Sequence, residues 1–221
     1  MSWSNLDWPL IGEATVDTLL MTGFSLAFTV VIGLPVGIAL FLTGPNQFFA
    51  NRWVYQSLSF IVNVLRSVPF LILLIVMIPL TRMLAGTSLG VQGAIPPLVA
   101  SAAPFFARLV ENVLRELDTG VIEACRAMGA NSWQTVFLAL LPEAFTGLLA
   151  AVLVTGITLV GYSAMSGVIG GGGLGDLALR FGYQRYQTDV MIVTVVILVV
   201  LVQLMQMFGD YLIAALQRKT N

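Results

Sequence analysis

Apolar residues in this chain come in long blocks, and polar positions gather in the gaps between them. A spanning helix needs about 20 mostly apolar residues. Five blocks reach that length, at residues 18–42, 54–81, 90–114, 144–169 and 190–216. Pro69 and Pro79 interrupt the second block, and Pro96, Pro97 and Pro104 the third. Such breaks are tolerated at membrane depth where neighbouring helices or a water-filled cavity satisfy the freed backbone groups. The pattern predicts an all-α integral membrane protein, one domain over residues 1–221 with five transmembrane helices. The longest polar gap, residues 116–143, separates the third and fourth blocks.

Composition supports this and narrows the function. The chain is 58% hydrophobic and only 10% charged, with a net charge of −1, where a soluble domain carries about 25% charged residues. Near-neutral charge without a basic block argues against nucleic acid as a partner. With no His and a single Cys, Cys125, an intrachain disulfide is excluded and no metal site is expected. The first residues carry Asp7, Glu13 and Asp17 but no Lys or Arg, so a cleavable signal peptide is not expected. Trp3 and Trp8 suit the headgroup level.

Five spans place the termini on opposite sides. With the N-terminus outside, the inner loops hold Arg52, Arg115, Arg126, Arg218 and Lys219, against Arg82, Arg180 and Arg185 outside. That bias follows the positive-inside rule and turns the insert at 116–143 towards the cytoplasm. Small residues four apart, Gly33/Gly37 and Gly167/Gly171, let helix backbones approach closely. They fit packing inside one subunit or a homodimer seam.

The insert contains "TGVIEACRAMGANSWQTVFLALLPEA". Thr119 can cap a short helix whose apolar stripe is Val121, Cys125 and Met128, with Glu123 and Arg126 three apart as a possible ion pair. Gly129 offers the left-handed conformation that ends a helix. Asn131 and Gln134 have the spacing of a capping box opening a second helix, and Pro142 suits a first helical turn. From these residues alone, two roles stand: a helix lying on the bilayer surface, or one docking into a groove of a soluble partner.

"EACRAMGANSWQTVFLALLP" resembles the EAA motif of the membrane subunits of ABC importers. Glu123, Ala124, Gly129, Leu141 and Pro142 match in register, while Cys125 replaces the second Ala and Ala139 stands where Ile is usual. The stretches "IGLPVG", "LRSVPFLILL", "TSLGVQGAI", "LVGYSAMSG" and "GGGLGD" extend the similarity to the methionine-importer permeases. The resemblance implies a homodimer of five-helix subunits in the cytoplasmic (inner) membrane, in contact with lipid. It also implies two copies of a cytoplasmic ABC ATPase that uses ATP and Mg, and an extracytoplasmic substrate-binding protein. Glu123, Ala124, Cys125, Arg126, Met128, Gly129, Leu141 and Pro142 would then form the coupling segment that meets the ATPase. The chain itself is expected to bind no cofactor: it has no G-x-x-x-x-G-K-[ST], and its one Lys is Lys219.

Three motifs tempt an enzymatic reading. "GGGGLG" at residues 170–175 matches G-x-G-x-x-G but lies between membrane spans, not in a βαβ unit. "GLGD" ends on Asp176 without a second acid at matching depth. "GYSAM" has a serine but the chain has no His to serve as base. A flexible outer-side turn is the reading for the glycine run, and the chain is not expected to be an enzyme.

Charges in the membrane mark function by default. Arg66 lies about 18 Å into the second block if that block starts at Val54; otherwise it is an anchor or gate-side residue at the inner interface, its head snorkelling. Arg108, Glu111 and Arg115 have the spacing of mutually neutralising pairs near the insert. A small amphiphilic solute needs an apolar pocket with a few polar groups. Asn63, Arg66, Tyr162, Ser163, Met165 and Ser166 are the candidates for a translocation path or gate. The expected function is a permease subunit of an ATP-driven methionine importer, working by alternating access at a homodimer interface. The alternative is a gradient-driven secondary transporter of an amino acid-like solute, against which the acids' placement near span ends and the odd span count both speak.

Overall fold

The computed structural model describes residues 6–45 and 47–220, apart from the side chains of Thr119, Arg126, Arg218, Lys219 and Thr220. Trp3 lies outside the described residues. The first helix, α1 (Trp8–Thr43), starts where Asp7 accepts the Leu10 N–H and Pro9 occupies the first turn. It begins ten residues ahead of the predicted span because its first turns, although polar at Glu13 and Asp17, bury Ile11 and Ala14 against Leu174, Leu177 and Val190. At 1.5 Å per residue its 36 residues run about 54 Å, well beyond the hydrocarbon core of about 30 Å.

The second apolar block is not one straight span. It divides into α2 (Arg52–Ser67), α3 (Phe70–Val76) and α4 (Ile78–Ala85), and α2 meets α3 at a bend of 98°. Pro69 is the cause: the residue before a proline is pushed out of the α region, and Val68 accordingly has ψ 123°. The third block behaves differently. Helix α5 (Gly90–Arg115) keeps Pro96, Pro97 and Pro104 inside a single 26-residue helix.

Helix α5 is the centre of the fold. Its buried face, including Leu98, Ala102, Phe106 and Val110, packs chiefly on α1 and also on α2 and α9 (Phe145–Ser166). Close approach to α1 depends on glycine: a Cβ on Gly33 would stand 2.9 Å from the Ala103 carbonyl oxygen, and one on Gly37 2.6 Å from that of Ala107. Gly167 and Gly171 likewise pack on the chain's own residues, Asp176 and Ser166. Both glycine pairs therefore serve packing within the subunit.

Between α5 and α9 the insert forms α6 (Thr119–Ala127), α7 (Ser132–Gln134), a π-helical turn at Thr135–Leu140 and α8 (Leu141–Glu143). After α9 a 3-10 turn (Gly167–Ile169) leads into α10 (Gly173–Leu177), a π-helical turn (Ala178–Tyr183) and α11 (Thr188–Thr220). The glycine run is held firmly in place: Gly90 N–H donates to the Gly170 carbonyl, and Leu174 N–H to Thr18 Oγ1. Among the described residues α1, α5, α9 and α11 are long and apolar enough to cross a membrane, and the bent pair α2–α3 supplies a fifth crossing if counted as one broken span.

Candidate functional site

The insert is built by local rules. Asp118 Oδ1 accepts the Gly120 N–H at 2.8 Å, so the cap of α6 comes one residue before the expected Thr119, whose side chain lies outside the described residues. Gly129 has φ +76° and no atom within 4 Å of an added Cβ, so conformation and not space selects glycine there. The Ala130 N–H reaches back to the Cys125 carbonyl and closes the end of α6. The capping box is present in full: Asn131 Oδ1 accepts from Gln134 N and Gln134 Oε1 from Asn131 N.

The orientation of α6 separates the predicted coupling residues into two groups. Cys125 is buried, and Val121 and Ile122 pack on the inner core of Phe41, Leu114, Val136 and Leu140. Met128 does not belong to that stripe: it is 78% exposed, because the helix ends before the face comes round again. Glu123, Ala124 and Gly129 face outward with it, as does Pro142, and Leu141 is half-buried. The side chain of Arg126 lies outside the described residues, so its pairing with Glu123 does too. Exposed Trp133 stacks on Phe137 at 5.8 Å beside an exposed Leu138. One face of the insert is thus riveted to the bundle while the other presents apolar and acidic groups.

A polar brace joins the base of α5 to α2. Glu111 is 1% exposed and accepts from Arg108 Nη1 at 2.5 Å, Arg115 Nη2 at 2.8 Å and the Tyr55 hydroxyl at 3.2 Å. Arg108 also donates to Ser59 Oγ and Asn63 Oδ1. These residues form the neutralising cluster expected from their spacing, and its further role is to hold the polar face of α2 against α5. The aromatic side of α2, with Trp53 and Phe60, stays exposed.

Above this brace lies a cavity of about 350 Å³ between α2, α5 and α9. Asn63, Arg66 and Tyr162 line it, together with Ser67, Ser101 and Phe105. The Arg66 guanidinium lies 5.7 Å from the Phe105 ring centroid, and Tyr162 stacks on Phe70 at 4.5 Å. Ser101 and Phe105 sit near the middle of α5. Of the other path candidates, Ser163 and Ser166 are buried and donate to the carbonyls of Val160 and Ser163, which is a packing role. Met165 is exposed but does not line the cavity. Sequence reasoning missed Ser101 and Phe105, whose four-residue spacing on one helix face was the available signal. In the segment after α9, buried Asp176 pairs with Arg180 at 2.5 Å.

Comparison with known proteins follows the same lines. Residues 30–221 match the family described as binding-protein-dependent transport system inner membrane component. The chain is 46% identical over 205 residues to the probable D-methionine transport system permease protein MetI of Pasteurella multocida (strain Pm70), covering 93% of this chain and 94% of that one. It is 56% identical over 160 residues to the D-methionine transport system permease protein MetI of Escherichia coli (strain K12), covering 72% and 73%. Among solved structures it is similar to a chain of the MetNI methionine ABC transporter in an inward-facing conformation, with TM-score 0.94 and 52% identity over 97% of this chain and 99% of that one.

Proposed function

We propose a transport cycle for this chain, which belongs to the family of binding-protein-dependent transport system inner membrane components. It is a multi-pass inner-membrane protein, the permease subunit of an ABC methionine importer, and not an enzyme. It works as a dimer with an ATPase partner, and ATP is used by that partner.

The finer reading is ours. The N-terminus is outside and the insert faces the cytoplasm, where Glu123, Ala124, Met128 and Gly129 enter a groove of the ATPase, one copy per permease subunit. Mg accompanies ATP there. An extracytoplasmic binding protein delivers substrate to the outer end, and lipid covers the apolar faces of α11. The observation that carries this reading is the division of the insert: Cys125 and its neighbours are fixed to the core while the motif residues at the turn point outward. Closure of the ATPase pulls that turn, and the rigid face passes the displacement to α5 and α9. Asn63, Arg66 and Tyr162 line the path that opens and closes. The gradient-driven alternative is not favoured, since the carboxylate of Glu111 is occupied by two arginines rather than free to relay protons.

The test is methionine uptake into proteoliposomes holding this chain with its purified ATPase and binding protein. ATP-dependent accumulation that persists with an ionophore supports the reading. Uptake that ignores ATP and collapses with the ionophore overturns it.

A further inference from the structure

We propose that the cavity between α2, α5 and α9 is a transient carboxylate site in which Arg66 receives the α-carboxylate of the amino acid in transit, an inference that rests on the importer reading above. Arg66 is the one charged residue lining the cavity, and among the described residues it has no ion-pair or hydrogen-bond partner, only the face of Phe105. The adjacent cations are already neutralised: Arg108 and Arg115 share Glu111. The positive charge in the cavity is therefore uncompensated by the chain.

The surrounding polar groups point to the same ligand. Asn63 uses its Oδ1 to accept from Arg108, which leaves its amide N–H groups for another acceptor. The hydroxyls of Ser101 and Tyr162 make no hydrogen bond among the described residues. A guanidinium, an amide and two hydroxyls, with no carboxylate beside them, form a set of donors that an anionic oxygen pair satisfies. Phosphate shares this chemistry. One face of Phe105 is taken by Arg66 and one face of Tyr162 by Phe70, which leaves a small aromatic edge beside the polar lining, where the sulfur of a thioether side chain can touch a ring. The volume, about 350 Å³, sits at the lower end of small-molecule sites and suits a single amino acid.

Glu111, the acid within α5, is already held by Arg108 and Arg115. Arg66 lines the cavity and is exposed, so its grip on a carboxylate is partly screened. Conduction wants a site strong enough to enter and weak enough to leave, and this one has that character.

The experiment uses the intact complex of this chain with its ATPase, nucleotide-free in detergent, and methionine carrying a side-chain diazirine as the probe. Irradiation followed by peptide mapping locates the label on either chain. The proposal expects label on peptides bearing Phe105 and Tyr162, competed by methionine and about tenfold less well by methioninol, which keeps the side chain but lacks the carboxylate. Arg66→Gln should weaken labelling by about the same factor, and Arg66→Lys by less. The methioninol comparison needs no variant, so a misfolded Arg66→Gln does not remove the test. Equal competition by methioninol, or no label in the cavity of a complex that still imports methionine, overturns the carboxylate site alone. A complex that neither labels nor imports methionine overturns the importer reading and the site with it.

Discussion

Replacing Gly37 with Ala should destabilise the bundle, although alanine is the better helix former. The added Cβ would stand 2.6 Å from both the Ala107 carbonyl oxygen and Val110 Cβ, where ordinary contact begins at 3.4 Å. Helices α1 and α5 must therefore part locally by 3.4 − 2.6 = 0.8 Å. A gap of about 0.5–1 Å forfeits a quarter to a half of the dispersion well of the atoms beside it, and overpacking of this kind costs about 1–3 kcal/mol. Gly23 provides the control: it lies in the same helix, and an added Cβ meets nothing within 4 Å. Both substitutions gain the helix-propensity difference of about 1 kcal/mol, so it cancels between them. Gly33, where the shortfall is 3.4 − 2.9 = 0.5 Å, should fall in between. Thermal unfolding of the purified variants in detergent, followed by tryptophan fluorescence, should rank Gly23→Ala above Gly33→Ala above Gly37→Ala. At about 2–4 °C per kcal/mol for a chain of this size, the extremes differ by several degrees. Equal melting temperatures for Gly23→Ala and Gly37→Ala would refute the close α1–α5 packing.

Glu111→Gln keeps the shape of the brace but removes the charge that two arginines face. A broken buried pair costs about 3–5 kcal/mol, and because Arg108 and Arg115 are 15% and 35% exposed, we expect about 2–3 kcal/mol after solvent screening, read as a lowered melting temperature; an unchanged melt contradicts the brace. Gly129→Asn should preserve uptake, since asparagine tolerates the left-handed conformation, whereas Gly129→Val, which strains it by about 1–2 kcal/mol, should abolish uptake while the chain still inserts. Equal uptake by the two variants would separate the φ of +76° from coupling. Asn131→Ala removes one arm of the capping box and should cost about 1 kcal/mol locally, seen as faster amide hydrogen exchange at Gln134 and Thr135; unchanged exchange would mean that the box does not hold the second helix of the insert.

Much of the fold was legible because membrane burial is written in long apolar runs, and the insert because caps and turns are written in single residues. Gly129, Asn131 and Gln134 each took the conformation their side chains prescribe. Proline was the ambiguous letter: Pro69 turns the chain sharply, while Pro96, Pro97 and Pro104 remain inside α5. The difference is tertiary, since α5 is enclosed by neighbouring helices and α2 is largely exposed. The start of α1 was hidden because Glu13 and Asp17 break the apolar run without breaking the helix. Met128 was misplaced because its spacing from Cys125 assumed that α6 runs on, whereas it ends at Ala127. The cavity was half legible: Asn63, Arg66 and Tyr162 stand out as polar letters in apolar text, but a serine and a phenylalanine of α5 become lining only through the packing of three helices.

In the proposed cycle the outward turn of the insert carries the ATPase. The most direct test is purification of the tagged chain in mild detergent, with mass spectrometry of what accompanies it. A stoichiometric P-loop ATPase is expected, and it should be lost when Glu123 and Gly129 are both altered while the chain itself stays folded. The same ATPase retained by that double variant, or none with the unaltered chain, would contradict it.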